Sequence, residues 1–149
     1  MVSGKRTDML KWLYKAFGLR DADLERKRLK MEEDLFVKME RTISGSELYK
    51  DRSLSADSLA RALGTNRQYL YRTLKGRGLR FTQYINTFRL QKALLLMSSP
   101  ECASMTMDDI AFSSGFSSDR TMNYYVLKML GVTAPVLRRR FGAVEKDRA

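Results

Sequence analysis

Apolar residues recur at helical spacing along most of the chain. Leu24, Met31, Leu35, Met39 and Ile43 lie close to one face of a helix, while Glu25, Arg26, Lys27, Arg28, Glu32, Glu33 and Asp34 populate the rest. That stripe needs a partner, either the downstream core for the half from Leu35 onward or another copy of the chain through a short coiled coil. The segment before it reads as a helix interrupted near Gly18, with Trp12 and Phe17 as packing residues. No stretch shows the sustained alternation or the Val/Ile/Thr enrichment of a sheet, so the pattern predicts an all-α protein.

From Leu54 the punctuation becomes regular. Ser55 has the chemistry of an N-cap, and Leu54 and Leu59 stand where a hydrophobic staple would form. A helix is predicted over Ala56 to Leu63, ended by Gly64, with Thr65 capping a second helix through Leu74. A longer helix from Thr82 to about Met97 follows, with Tyr84, Ile85, Phe88, Ala93, Leu94 and Leu95 as core candidates, and Ser98, Ser99 and Pro100 stop it. The same order then returns. Thr106 caps a helix with Asp109 three residues on and Met105 and Ile110 in staple positions, Gly115 ends it, Ser117 or Ser118 caps the next to about Met129, Gly131 closes that, and Pro135 opens the last.

Leu59-Ala60-x-x-x-Gly64 and Ile110-Ala111-x-x-x-Gly115 are therefore two copies of one unit, their glycines 51 residues apart. A small Ala lets two helices cross closely, and Gly relieves strain at the sharp turn between them. After each Gly comes a capped polar helix whose apolar positions, Leu70 and Leu74 in one copy and Met122 and Val126 in the other, face inward. The outward face of the first carries Arg67, Gln68, Tyr71, Arg72 and Lys75, and that of the second Asp119, Arg120, Asn123, Tyr124 and Lys128. Arg can bond guanine in a bidentate way, Gln and Asn can bond adenine, and Asp can accept from cytosine.

Charge strengthens this reading. Arg52 to Gly142 holds 14 Lys or Arg against five acids, a net of +9, whereas Met1 to Asp51 nets only +2. The positive field sits on the duplicated part and attracts polyanions. The chain has no His and one cysteine, Cys102, which excludes nucleophile–His pairs and any His or multi-Cys zinc site within one chain, so neither an enzyme nor a bound cofactor is expected. Met1 to Arg20 is basic and interrupted by Lys11 and Lys15, which suits neither a signal peptide nor a membrane span. A soluble, cytoplasmic protein is expected.

These residues resemble the DNA-binding domain of the AraC/XylS family of bacterial transcription regulators over about Leu35 to Phe141. The resemblance is carried by Leu54-Ser55-x-x-x-Leu59-Ala60-x-x-Leu63-Gly64, Tyr69-Leu70-x-Arg72, Phe81-x-x-Tyr84-Ile85-Asn86-x-x-Arg89-Leu90-x-x-Ala93, Asp109-Ile110-Ala111-x-x-x-Gly115-Phe116-Ser117 and Gly131-Val132-Thr133. It implies two three-helix helix-turn-helix subdomains, 35–80 and 98–142, joined by a linker helix, 82–97, of ~24 Å. Residues 1–34 would be an N-terminal helical extension that links or dimerises, and 143–149 a tail. It further implies recognition helices in successive major grooves of double-stranded DNA, about 34 Å apart. By that carry-over Gln68 and Arg72, with Arg67 and Tyr71 beside them, and Asp119, Arg120 and Tyr124 occupy base-contacting positions. Ser55, Thr65, Thr106 and Ser118 sit at helix starts, where backbone amides can hold phosphate. RNA polymerase is an implied partner. The sequence departs from the family at Tyr124, commonly Arg, and at Thr133-Ala134-Pro135, where Pro usually follows Thr directly. Two alternatives stand beside this reading, a nucleic-acid module with little sequence preference and the cytoplasmic end of a longer sensor.

Overall fold

The computed structural model describes residues 11–12, 15–16, 18 and 21–148. Residues 11–12 and 15–16 are helical, and from Asp21 onward there are seven α-helices and two short 3-10 turns; among the described residues there is no strand. Helix α1 spans Asp21–Gly45, a 3-10 turn Leu48–Lys50, α2 Ala56–Ala62, α3 Arg67–Lys75 and α4 Phe81–Ser98. A second 3-10 turn covers Pro100–Cys102, followed by α5 Met107–Ser114, α6 Asp119–Leu130 and α7 Ala134–Arg148. The last helix continues through the segment read as a tail. Gly18 lies in a turn at φ 65° just ahead of α1, where the sequence puts the break. Trp12 is 67% exposed rather than packed, and Phe17 lies outside the described residues.

Local chemistry explains the helix starts. Ser55 accepts from the Ser58 N–H while Ser58 Oγ accepts from the Ser55 N–H, closing a capping box, and Thr106 and Asp109 close another. Asn66, not Thr65, caps α3, its Oδ1 accepting from the Tyr69 N–H at 2.9 Å. Asn outranks Thr as a cap, and the Thr65 amide closes the turn after α2 on the Ala60 carbonyl at 2.9 Å. Ser118 rather than Ser117 caps α6.

Two hydrophobic cores result, and α4 feeds both. Tyr84 and Ile85 close the first, which holds Leu35, Met39 and Ile43 of α1, Leu59 and Ala60 of α2, and Leu70 and Leu74 of α3. Leu90, Ala93 and Met97, about two turns further on, close the second against Ile110, Phe116, Met122, Val126 and Ala134. Burying each such aliphatic side chain stabilises by roughly 1.5–3 kcal/mol, so the linker is a shared structural spine. Leu95, expected inside, is 58% exposed because it lies on the side of α4 away from both cores, whereas Asn86 is buried. The stripe of α1 divides likewise: Leu35, Met39 and Ile43 are buried in the first core, while Met31 is 59% exposed. The 34/35 boundary therefore falls inside one continuous helix.

Candidate nucleic-acid interface

Each unit turns one face of its second helix, α3 or α6, outward by anchoring the opposite face. In α3, Leu70 and Leu74 are fully buried, which leaves Gln68, Arg72, Tyr71 and Lys75 exposed. Arg67 is also exposed, and its Nη1 lies 3.4 Å from Asp57 Oδ2 of α2. An ion pair this exposed is weak, so the guanidinium stays available to another anion. In α6, Met122 and Val126 are fully buried, and Asp119, Arg120, Tyr124 and Lys128 are exposed. Tyr124 stands edge-on to Tyr125 at 5.2 Å, with the Lys128 ammonium 5.8 Å from its ring centre.

Asn123 belongs elsewhere. Its Oδ1 accepts from the Ala134 N–H at 2.8 Å, and the side chain is half-buried. The proline displaced to position 135 leaves a free amide at the first residue of α7, which a proline there would lack, and Asn123 satisfies it. Its Oδ1 thus caps α7 from α6, an engagement that the outward-facing residues of α6 do not share.

The two units are held against each other at one small contact. Gly115 turns the chain between α5 and α6 at φ 90°, and a Cβ there would fall onto the Tyr49 carbonyl oxygen and within 2.8 Å of Lys50 Cα. Arg89 of α4 braces the same 3-10 turn, donating from Nε to the Tyr49 carbonyl at 2.7 Å and from Nη2 to that of Asp51 at 3.0 Å. Burial lowers the Arg89 pKa, and the nearby Asp51 carboxylate opposes that shift. The Arg52 guanidinium lies over the Phe112 ring of α5 at 4.2 Å. Arg138 plays the matching part in the second unit, donating from Nη2 to the carbonyls of Cys102 at 3.2 Å and Ala103 at 3.1 Å.

Both exposed faces border one open groove of about 690 Å³, lined by Tyr71 and Lys75 of α3, by Tyr125 and Lys128 of α6, and by Arg80 to Gln83 at the start of α4 between them. Lys75 and Lys128 therefore flank the same cleft. Neither Arg80 and Gln83 nor the bracing role of Arg89 was visible beforehand. In the sequence Arg89 is one of the residues that carry the family resemblance and a charge in a largely apolar helix, and nothing local says which carbonyls it meets. Ser55, Thr106 and Ser118 each cap a helix through the side chain and leave the earliest amides free, whereas Thr65 caps none.

No helix among the described residues is long and apolar enough to cross a membrane. A family model for a helix-turn-helix domain matches residues 59–140, more than half of the chain, and so takes in α3, α4 and α6 but leaves α1 outside. No curated protein and no solved structure matches. The doubled unit, the shared linker and the family match lead to one conclusion: the chain belongs to the AraC-type helix-turn-helix family of DNA-binding transcription regulators.

Proposed function

We propose that the protein recognises a specific, asymmetric site in double-stranded DNA by placing α3 and α6 in successive major grooves on one side of the duplex. The observation that supports this most is that the two exposed helix faces border one cleft while Gly115, Tyr49 and Arg89 pin the units together. Helices held in register meet two grooves about one turn, roughly 34 Å, apart without ordering the protein first. Gln68 and Arg72 are the base readers of α3, and Asp119, Arg120 and Tyr124 those of α6. Arg67, Tyr71, Lys75 and Lys128 hold backbone or neighbouring bases, and the free amides after Ser55, Thr106 and Ser118 meet phosphates.

Selection of bound duplexes from a random pool tests this. Two short blocks about one turn apart, preferred by ~10³-fold or more over a scrambled duplex at near-physiological salt, are expected. Enrichment of no sequence, with binding that vanishes as salt rises, would leave only the basic field and favour a module without sequence preference.

A further inference from the structure

The N-terminal half of α1 overhangs the first core and forms a second wall beside α3. Between them lies an open groove of about 630 Å³, lined by Leu24 and Met31 of α1 and Tyr69 of α3, and by Lys27, Arg28 and Arg72. Among the described residues the only carboxylate lining it is Glu25, which is paired with Arg28, so these lining residues carry a net positive charge. It is continuous with the outward face of α3 through Arg72.

The overhang is fixed in direction. Arg77, just past α3, pairs with Glu33 and lies over the Phe36 ring at 4.0 Å. Glu32 is buried, and Lys38 donates to the Leu63 carbonyl at 3.1 Å. Asp21 to Met31 thus projects as a helical arm of roughly 15 Å.

We propose that this groove takes the phosphodiester backbone of duplex DNA flanking the bases that α3 faces, so that α1 lengthens the footprint beyond the two recognition helices. The proposal rests on the reading of α3 as a recognition helix. A duplex whose groove is filled by α3 continues past Arg72, and one strand presents a phosphate every ~3.4 Å of duplex axis, so an arm of this length comes within reach of a few of them. Lys27 and Arg28 are neighbours on the wall that meets them. A second copy of the chain suits the groove poorly: in a two-fold pairing the same cations would face themselves, and Arg72 would be covered.

The test compares the full chain with a Lys27→Ala/Arg28→Ala variant on two duplexes carrying the selected site, one extended by about ten base pairs on the α3 side and one ending flush with the α3 block. Both side chains are exposed, so the fold should persist, which circular dichroism checks. On the extended duplex the variant should bind about 5- to 30-fold more weakly at near 0.15 M salt, with a salt slope reduced by about 1 to 2. On the flush duplex it should match the parent, with the same preferred sequence. Equal affinities of variant and parent on both duplexes, or equal losses on both, overturn the proposal. So does a parent that sediments as a dimer which the variant disperses, because the groove would then be a self-association face. If no site is enriched, the recognition reading itself fails and this proposal falls with it; if a site is enriched and the variant behaves as the parent, only the flanking contact fails.

Discussion

Replacing Gly115 by Ala probes the contact on which the relation between the two units depends. At φ 90° an L side chain is strained, by roughly 1–2 kcal/mol. The new methyl would also strike backbone rather than a yielding side chain: the Tyr49 carbonyl, Lys50 Cα at 2.8 Å and Tyr49 C at 3.1 Å. That turn is not free to retreat, since Tyr49 is buried and stacked on Phe88 with ring centres 6.3 Å apart, and its carbonyl receives Arg89. Overpacking of this kind costs about 1–3 kcal/mol, for a total of about 2–5 kcal/mol. Against a total stability of ~5–15 kcal/mol this is a large fraction, and at ~2–4 °C per kcal/mol it lowers Tm by roughly 4–20 °C. Gly64→Ala is the matched control. Its φ is 70°, yet an added Cβ meets nothing within 4 Å, so only the strain of ~1–2 kcal/mol applies. Urea unfolding of both variants measures the difference. Equal losses at the two glycines would refute the argument that Gly115 is required for inter-unit packing.

Other outcomes follow from the same geometry. Asn123→Ala should cost about 0.5–2 kcal/mol by freeing the Ala134 amide while leaving the preferred DNA sequence unchanged; a changed base preference would restore Asn123 to the recognition face. Arg72→Ala should lower specific affinity more than non-specific affinity, by about 1–3 kcal/mol at one base position, and equal losses on scrambled DNA would remove its base-reading role. Lys75→Ala should weaken binding to all sequences and reduce the salt slope by about 1; an unchanged slope argues against a phosphate contact. Hydrogen bonds from the Thr106 N–H and hydroxyl hold the Asp109 carboxyl below its usual pKa. Because the folded value is the lower one, its stabilisation is present above the unfolded pKa of about 4 and fades as pH falls through the folded value. The stability difference between the parent and Asp109→Asn should accordingly shrink below about pH 4, and parallel curves across that range would contradict it.

The helices and their duplication were legible in the sequence because the signals that set them are local. A cap and its amide lie three residues apart, as Ser55 and Ser58 or Thr106 and Asp109 do, and the inward faces of α3 and α6 follow from helical period alone. Gly64, Gly115 and Gly131 all adopt the positive φ that their place after a helix implies. The outward faces followed by subtraction, which is why the exposure of Arg72 and Arg120 is legible in the sequence. Subtraction could not show that Asn123 also accepts from a backbone amide on another helix.

What only the tertiary structure decided are relations between residues far apart in the chain. Gly115 meeting Tyr49, Arg89 reaching the carbonyls of Tyr49 and Asp51, Leu95 left outside two cores, and α1 laid beside Arg72 depend on how finished helices pack. Composition and period determine which face of a helix is buried. They carry no information about which backbone it will be buried against, because that choice is made by shape and by the hydrogen-bonding needs of distant loops.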